Sequence, residues 1–95
     1  MEIRFTEIFS DWLDTLRDRE ARTLILKHVD RMRKGNLGDI KNIGESVFEK
    51  RIFYGAGYRL YFLNKSGRLI ILLCGGDKSS QQKDIEKAQQ MAREV

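Results

Sequence analysis

The sequence predicts a small α+β domain, a helical hairpin packed on one face of an antiparallel sheet in the order β-α-α-β-β-β-α. Three features of the chain predict it. Apolar residues recur at helical spacing in the first third and alternate at strand spacing from Ser46 onward. They then fill an unbroken run, Leu69-Ile70-Ile71-Leu72-Leu73-Cys74, ahead of a last amphipathic pattern. With 95 residues there is room for one domain over 1–95. A hydrophobic share of 41% against 34% charged suits a folded chain rather than a disordered one.

Each element has a local cause. Glu2 to Phe5 reads as a short strand. Thr6 caps the first helix, and Glu7 stands in the first turn, where a carboxylate suits the helix dipole. Ile8, Phe9, Trp12, Leu13 and Leu16 form its apolar stripe. A second stripe runs through Ala21, Leu24, Ile25, Val29 and Met32, with the hairpin broken between Leu16 and Arg19 and Gly35 placed to end the helix. His28 falls beside that stripe and reads as a packed or half-buried histidine. Gly35-Asn36-Leu37-Gly38-Asp39 is turn-rich. Ser46 to Phe53 and Tyr58 to Asn64 are strands joined by Tyr54-Gly55-Ala56-Gly57, and Lys65-Ser66-Gly67 turns the chain into a third strand, Arg68 to Cys74. That strand is so uniformly apolar that both its faces should be covered. Gly75-Gly76 is expected to break it, and Ser79 or Ser80 to cap a last helix with Ile85, Ala88 and Met91 or Ala92 on one side.

Composition removes several classes of chemistry. Cys74 is the only cysteine, which excludes a disulfide framework and a multi-cysteine zinc site, and its apolar surroundings mark it as a core residue. His28 is the only histidine, which excludes paired-histidine metal sites. No stretch approaches bilayer length and the start carries no signal core, so a cytoplasmic protein without membrane attachment is expected. The formal charge of +4 favours polyanions without specifying one. The arginines and lysines of the second helix, Arg22, Lys27, Arg31 and Arg33 among them, read equally as a solvated face or as a surface steering RNA.

The two-residue period of a strand selects the candidate site. Val47, Glu49, Arg51 and Phe53 share one face, while Phe48, Lys50, Ile52 and Tyr54 share the other. Tyr58, Leu60 and Phe62 must meet the helical hairpin, which leaves Arg59 and Tyr61 on the opposite face, beside Glu49 and Arg51. Two arginines, a carboxylate and a tyrosine on one face have the makings of a phosphodiester site, since a guanidinium matches phosphate oxygens and stays charged. Pattern alone favours a plainer alternative, a solvated face with a cross-strand ion pair between Glu49 and an arginine. Gly75-Gly76-Asp77-Lys78-Ser79 joins a strand to a helix start, where free N–H groups attract anions. Its glycine spacing is not that of a Walker loop, and a capped turn explains it as well.

Arg51-Ile52-Phe53-Tyr54-Gly55-Ala56-Gly57-Tyr58-Arg59-Leu60-Tyr61-Phe62, Leu72-Leu73-Cys74-Gly75-Gly76-Asp77-Lys78-Ser79-Ser80-Gln81, Asp84-Ile85, Trp12-Leu13 and the Gly35-Asn36 turn closely resemble the phage-derived, HigB-like addiction module killer branch of the RelE/ParE superfamily. That branch usually has a proline where Ala56 stands and an apolar residue where Lys50 stands. The resemblance implies the toxin of a toxin–antitoxin pair, neutralised by a helix-turn-helix antitoxin encoded alongside. RelE-like members cut mRNA on the ribosome without metal or cofactor, whereas ParE-like members on the same fold poison gyrase, so fold does not settle activity. Residue by residue, Arg59 matches the strand arginine used on the scissile phosphate, Arg51 and Glu49 match site positions of the neighbouring strand, and Lys78 lies near a further basic site residue. The C-terminal tyrosine of those toxins has no counterpart, and Tyr61 is the candidate to replace it.

The leading expectation is therefore a metal-independent endoribonuclease in which Arg59, Arg51 and Lys78 stabilise charge and Glu49 or Tyr61 moves protons. The rivals are a gyrase inhibitor without chemistry and a subunit that only binds antitoxin and represses its own operon. The nuclease expectation requires Arg51 and Arg59 to converge on one face. It fails if they point to opposite sides, or are tied up with carboxylates under cover.

Overall fold

In the computed structural model, which describes residues 1–95, strand β1 (Glu2–Phe5) leads into helices α1 (Glu7–Thr15) and α2 (Arg19–Arg33). Strands β2 (Ile40–Asn42), β3 (Val47–Ile52), β4 (Tyr58–Lys65) and β5 (Leu69–Gly76) follow, then one 3₁₀ turn (Lys78–Ser80) and helix α3 (Gln81–Glu94). The α+β fold is the one predicted. Thr6 Oγ1 accepts the Phe9 N–H at 3.0 Å. Asp18 accepts the N–H groups of Glu20 and Ala21 at 3.0 and 3.1 Å, which starts α2 just past the expected break. Gly35, at φ +93°, ends that helix. Its N–H reaches the Met32 carbonyl and that of Asn36 the Arg31 carbonyl, both at 2.9 Å, a paired closure that needs a left-handed residue.

The sheet is larger than expected, with order β1-β5-β4-β3-β2. β1 runs parallel to β5, Glu2 opposite Leu69 through Phe5 opposite Leu72, so one edge of an otherwise antiparallel sheet is parallel. β2 adds an antiparallel edge to β3, with Ile40 opposite Lys50. β1 is the strand expected at Glu2 to Phe5 and β2 is additional, and both are too short to announce their pairing by pattern.

Gly75 and Gly76 do not break β5, since they pair with Leu60 and Arg59. They let neighbours close in: a Cβ at Gly75 would strike the Trp12 ring, and one at Gly76 the Asp84 carboxylate. The expected serine cap is also replaced. Asp77 accepts the Ser79 N–H at 2.8 Å, and Ser80 Oγ donates to Asp84 at 2.5 Å instead of capping α3.

The core lies on both sides of the sheet. Phe9, Leu13, Ile25, Val29 and Met32 of the hairpin pack on Ile52, Leu60, Phe62, Ile70 and Leu72. On the other side Ala88, flanked by Ile85, Met91 and Ala92, packs on Val47, Tyr61, Leu63, Ile71, Leu73 and Cys74. β5 is thus covered twice, and α3 is its second cover. A bulge between Tyr61 and Phe62, opposite Cys74 and Leu72, gives β5 one extra residue, so Leu73 and Cys74 both face α3. Cys74 is buried, and burial pushes its thiol up to about 12, as befits an inert core residue. No helix is long and apolar enough to cross a membrane.

Candidate functional site

The register of β3 on β4 sets Arg51 opposite Arg59 and Glu49 opposite Tyr61, so all four side chains stand on one face, the face away from the hairpin. α3 divides that face in two. Its covered half holds Glu49 and Tyr61, which are 2% and 0% exposed. The Tyr61 hydroxyl donates to Glu49 Oε2 at 3.0 Å, and Gln81 Nε2, at the start of α3, donates to the same oxygen at 3.0 Å. Burial, with Glu49 alongside, pushes the Tyr61 phenol far above its ordinary range. The open catalytic face expected for these two residues is corrected here. A phenol sealed from solvent and committed to a carboxylate is out of reach of a bound substrate.

The uncovered half is a cleft of about 530 Å³ lined by Arg51, Phe53, Tyr54, Gly55, Ala56, Gly57, Arg59 and Lys78. Lys78 arrives there because its backbone N–H bonds the Ala56 carbonyl at 3.3 Å, which folds the 3₁₀ turn onto the β3–β4 loop. Gly57, at φ +78°, lies against both Arg59 Nη1 and the Lys78 stem, in a conformation that glycine adopts without strain. Three of the five sequence-predicted residues therefore meet in one cleft: Arg51, Arg59 and Lys78.

The arginines are held differently. Arg59, whose side chain is 11% exposed, sets Nε 3.7 Å from Glu49 Oε2 and donates from Nη1 to the Gly57 carbonyl at 2.9 Å. The ion pair of the plainer sequence alternative thus exists, and it lies under cover rather than in solvent. The condition set against the nuclease expectation is met for one arginine and not the other: Arg59 is tied to a covered carboxylate through its Nε edge, where Nε makes no hydrogen bond, while Arg51 and its partner Asp39 both stay in solvent. Arg59 Nη2 has no acceptor within the protein. Arg51 is 43% exposed, lies 3.5 Å from Asp39, and rests its guanidinium 5.6 Å from the centre of the Phe53 ring. Phe53 is itself 79% exposed, more than any other large apolar residue of the chain.

Like charges directly opposite each other on neighbouring strands repel. Lys78 adds a third cation, and no carboxylate lines the cleft. Such a site favours an anion. Tyr54 faces the same cleft, but its hydroxyl donates to Asp18 and Glu20 at 3.1 Å each, and its phenol is pushed up to about 12 by burial and by those two bonds. No group of three His, Cys, Asp or Glu side chains is close enough to hold a metal ion.

Sequence reasoning missed Gln81, Phe53 and the covering role of α3. The helix's own stripe, Ile85, Ala88, Met91 and Ala92, needed a partner, and β5 needed a second cover. Put together, those two signals would have laid α3 across Tyr61.

A profile of the family described as Phage derived protein Gp49-like (DUF891) matches residues 11–93. An uncharacterized protein of Haemophilus influenzae is 45% identical over 95 residues, covering 100% of this chain and 96% of that protein.

Proposed function

Because the chain belongs to the Gp49-like family of phage-derived proteins, a RelE-like toxin family, we propose that it is the toxin of a toxin–antitoxin pair and cuts mRNA in the Arg51–Arg59–Lys78 cleft. The observation that supports this reading best is the direct opposition of two arginines with a lysine folded over them and no carboxylate lining the cleft. Arg59 has Glu49 behind it and Arg51 has Asp39 beside it, while Lys78 has no ion pair, so the three together still suit a phosphodiester, whose charge grows as it is attacked.

In the reaction the ribose 2′-hydroxyl attacks its own phosphorus and the bond to the 5′-oxygen breaks, leaving a 2′,3′-cyclic phosphate and a 5′-hydroxyl. Arg59 Nη2 and Arg51 face the phosphoryl oxygens. Lys78 gives a proton to the departing 5′-oxygen, and the proton of the 2′-hydroxyl passes to solvent. Glu49, Tyr61 and Gln81 act as positioning residues that fix Arg59 from behind. The chain's own contribution is charge stabilisation and leaving-group protonation, which suits action on a ribosome that orients the mRNA. The expected partners are mRNA, the ribosome and a cognate helix-turn-helix antitoxin, in the cytoplasm, with no cofactor.

Inducing the wild type and Arg59→Ala in cells and mapping mRNA 5′ ends tests this reading. New ends with the wild type, reduced on the order of 10²- to 10³-fold in rate by the substitution, are expected. Equal toxicity of both proteins with intact mRNA would reject it, and accumulated cleaved DNA in those cells would point to gyrase.

A further inference from the structure

Arg51 and Phe53 form a wall shared by two clefts. The second, of about 230 Å³, lies on the hairpin side and is lined by His28, Arg31, Asn36, Gly38, Asp39, Lys50 and Ile52 beside the two wall residues. Its floor contains Lys50, only 2% exposed, whose ammonium donates to the Leu37 carbonyl at 2.7 Å and meets no carboxylate within 4 Å. An ammonium has three protons to give, and a buried one without a carboxylate in ion-pair contact is costly. Arg31, one turn along α2 from His28, is exposed and forms no salt bridge. The single carboxylate at this cleft, Asp39, is already engaged with Arg51.

The three cations of the second cleft, Arg31, Lys50 and Arg51, thus face one carboxylate. The crowding shows in two titrating groups. The Lys50 ammonium is lowered by burial and then by Arg31, against a smaller opposing pull from Asp39, and the His28 ring is lowered by burial, then by Lys50, then by Arg31. Hydrophobic burial does not explain a lysine here, since its neighbours on the same sheet face are Ile52, Leu60 and Phe62. An anion would relieve all three groups at once.

We propose that this second cleft binds a further phosphate of the same RNA strand, with Arg31 and Lys50 as its donors. The inference rests on the RNA-cleaving reading above. A strand leaving the Arg59–Lys78 cleft for this one must cross the exposed Phe53 ring, whose face can stack on the intervening base.

The test uses a six-nucleotide RNA, 2′-O-methylated throughout so that it cannot be cut, and measures its binding by fluorescence anisotropy across a salt series. Arg31→Ala should weaken binding about tenfold at low salt. Loss of one phosphate contact should also flatten the plot of log Kd against log salt by about 0.7. Lys50→Met, which keeps the stem's volume, should weaken binding similarly while melting no lower than the wild type, because an uncompensated charge has been removed. An unchanged slope in Arg31→Ala, with binding still lost in Arg59→Ala, overturns this subsite alone. If Lys50→Met proves unstable, Arg31→Ala alone decides. A wild type that binds no RNA overturns the subsite, whereas the nuclease reading stands or falls by the mRNA ends mapped in cells.

Discussion

Glu49→Gln separates two roles for the same carboxylate. The substitution keeps the side chain's shape and removes its charge. In the structure Glu49 Oε2 accepts from Tyr61 and Gln81 at 3.0 Å each and faces Arg59 Nε at 3.7 Å. At an effective dielectric of about 20, unit charges separated by that 3.7 Å attract by roughly 4–5 kcal/mol. With Arg59 only 11% exposed, water does little to screen the loss. Removing one partner of a covered pair costs about 3–5 kcal/mol, because the other charge stays behind. A domain of 95 residues has a total stability of roughly 5–14 kcal/mol, so this is a large fraction. Each kcal/mol is worth about 4–8 °C in a domain of this size, so the melting temperature should drop by roughly 12 °C or more. Circular dichroism melts of the two proteins, with urea titrations at 25 °C, provide the measurement. A drop of less than about 4 °C would refute the buried network.

Two other predictions concern packing and pH. Gly76→Ala should destabilise by about 1–3 kcal/mol, since the new methyl must displace the Asp84 carboxylate and Ser80 at the foot of α3, and a urea midpoint equal to the wild type's would contradict that close approach. Stability should fall as pH rises past about 9. Cys74, Tyr54, Tyr58 and Tyr61 all keep their protons in the folded chain at pH values where the unfolded chain has shed them, whereas the lowered Lys50 alone works the other way. Urea unfolding at pH 8 and 10.5 should show the decline, with a shallower slope in Tyr61→Phe, and a flat profile would count against it.

Much of the fold was legible because local periodicity carried it. The alternation from Val47 to Tyr54 and from Tyr58 to Leu63 assigned every side chain to its face, and the register found sets Arg51 against Arg59 as that alternation allowed. Helix ends were legible where one residue type has one job, as at Thr6 and Gly35. Burial of Glu49 and Tyr61 was not, because it depends on which element lands on top of them, and α3 begins 32 residues beyond Glu49. The same limit hid the parallel β1–β5 pair. Gly75-Gly76 misled for a different reason: the usual meaning of paired glycines is a turn, and here the missing side chains make room for Trp12 and Asp84 inside a strand. Lys50 was placed on the core side by its parity and is found there, with its ammonium turned to the Leu37 carbonyl.

The pairing of β1 with β5 has a consequence for how the chain comes into being. Glu2 must wait for Leu69 before its strand has a neighbour, and Lys78 must follow before the cleft is whole. Contacts so distant in sequence form slowly, since a long loop has to close before anything is gained. A growing chain therefore carries an incomplete set of cations until Lys78 has been added, and the cleft closes only once nearly the whole sequence is present.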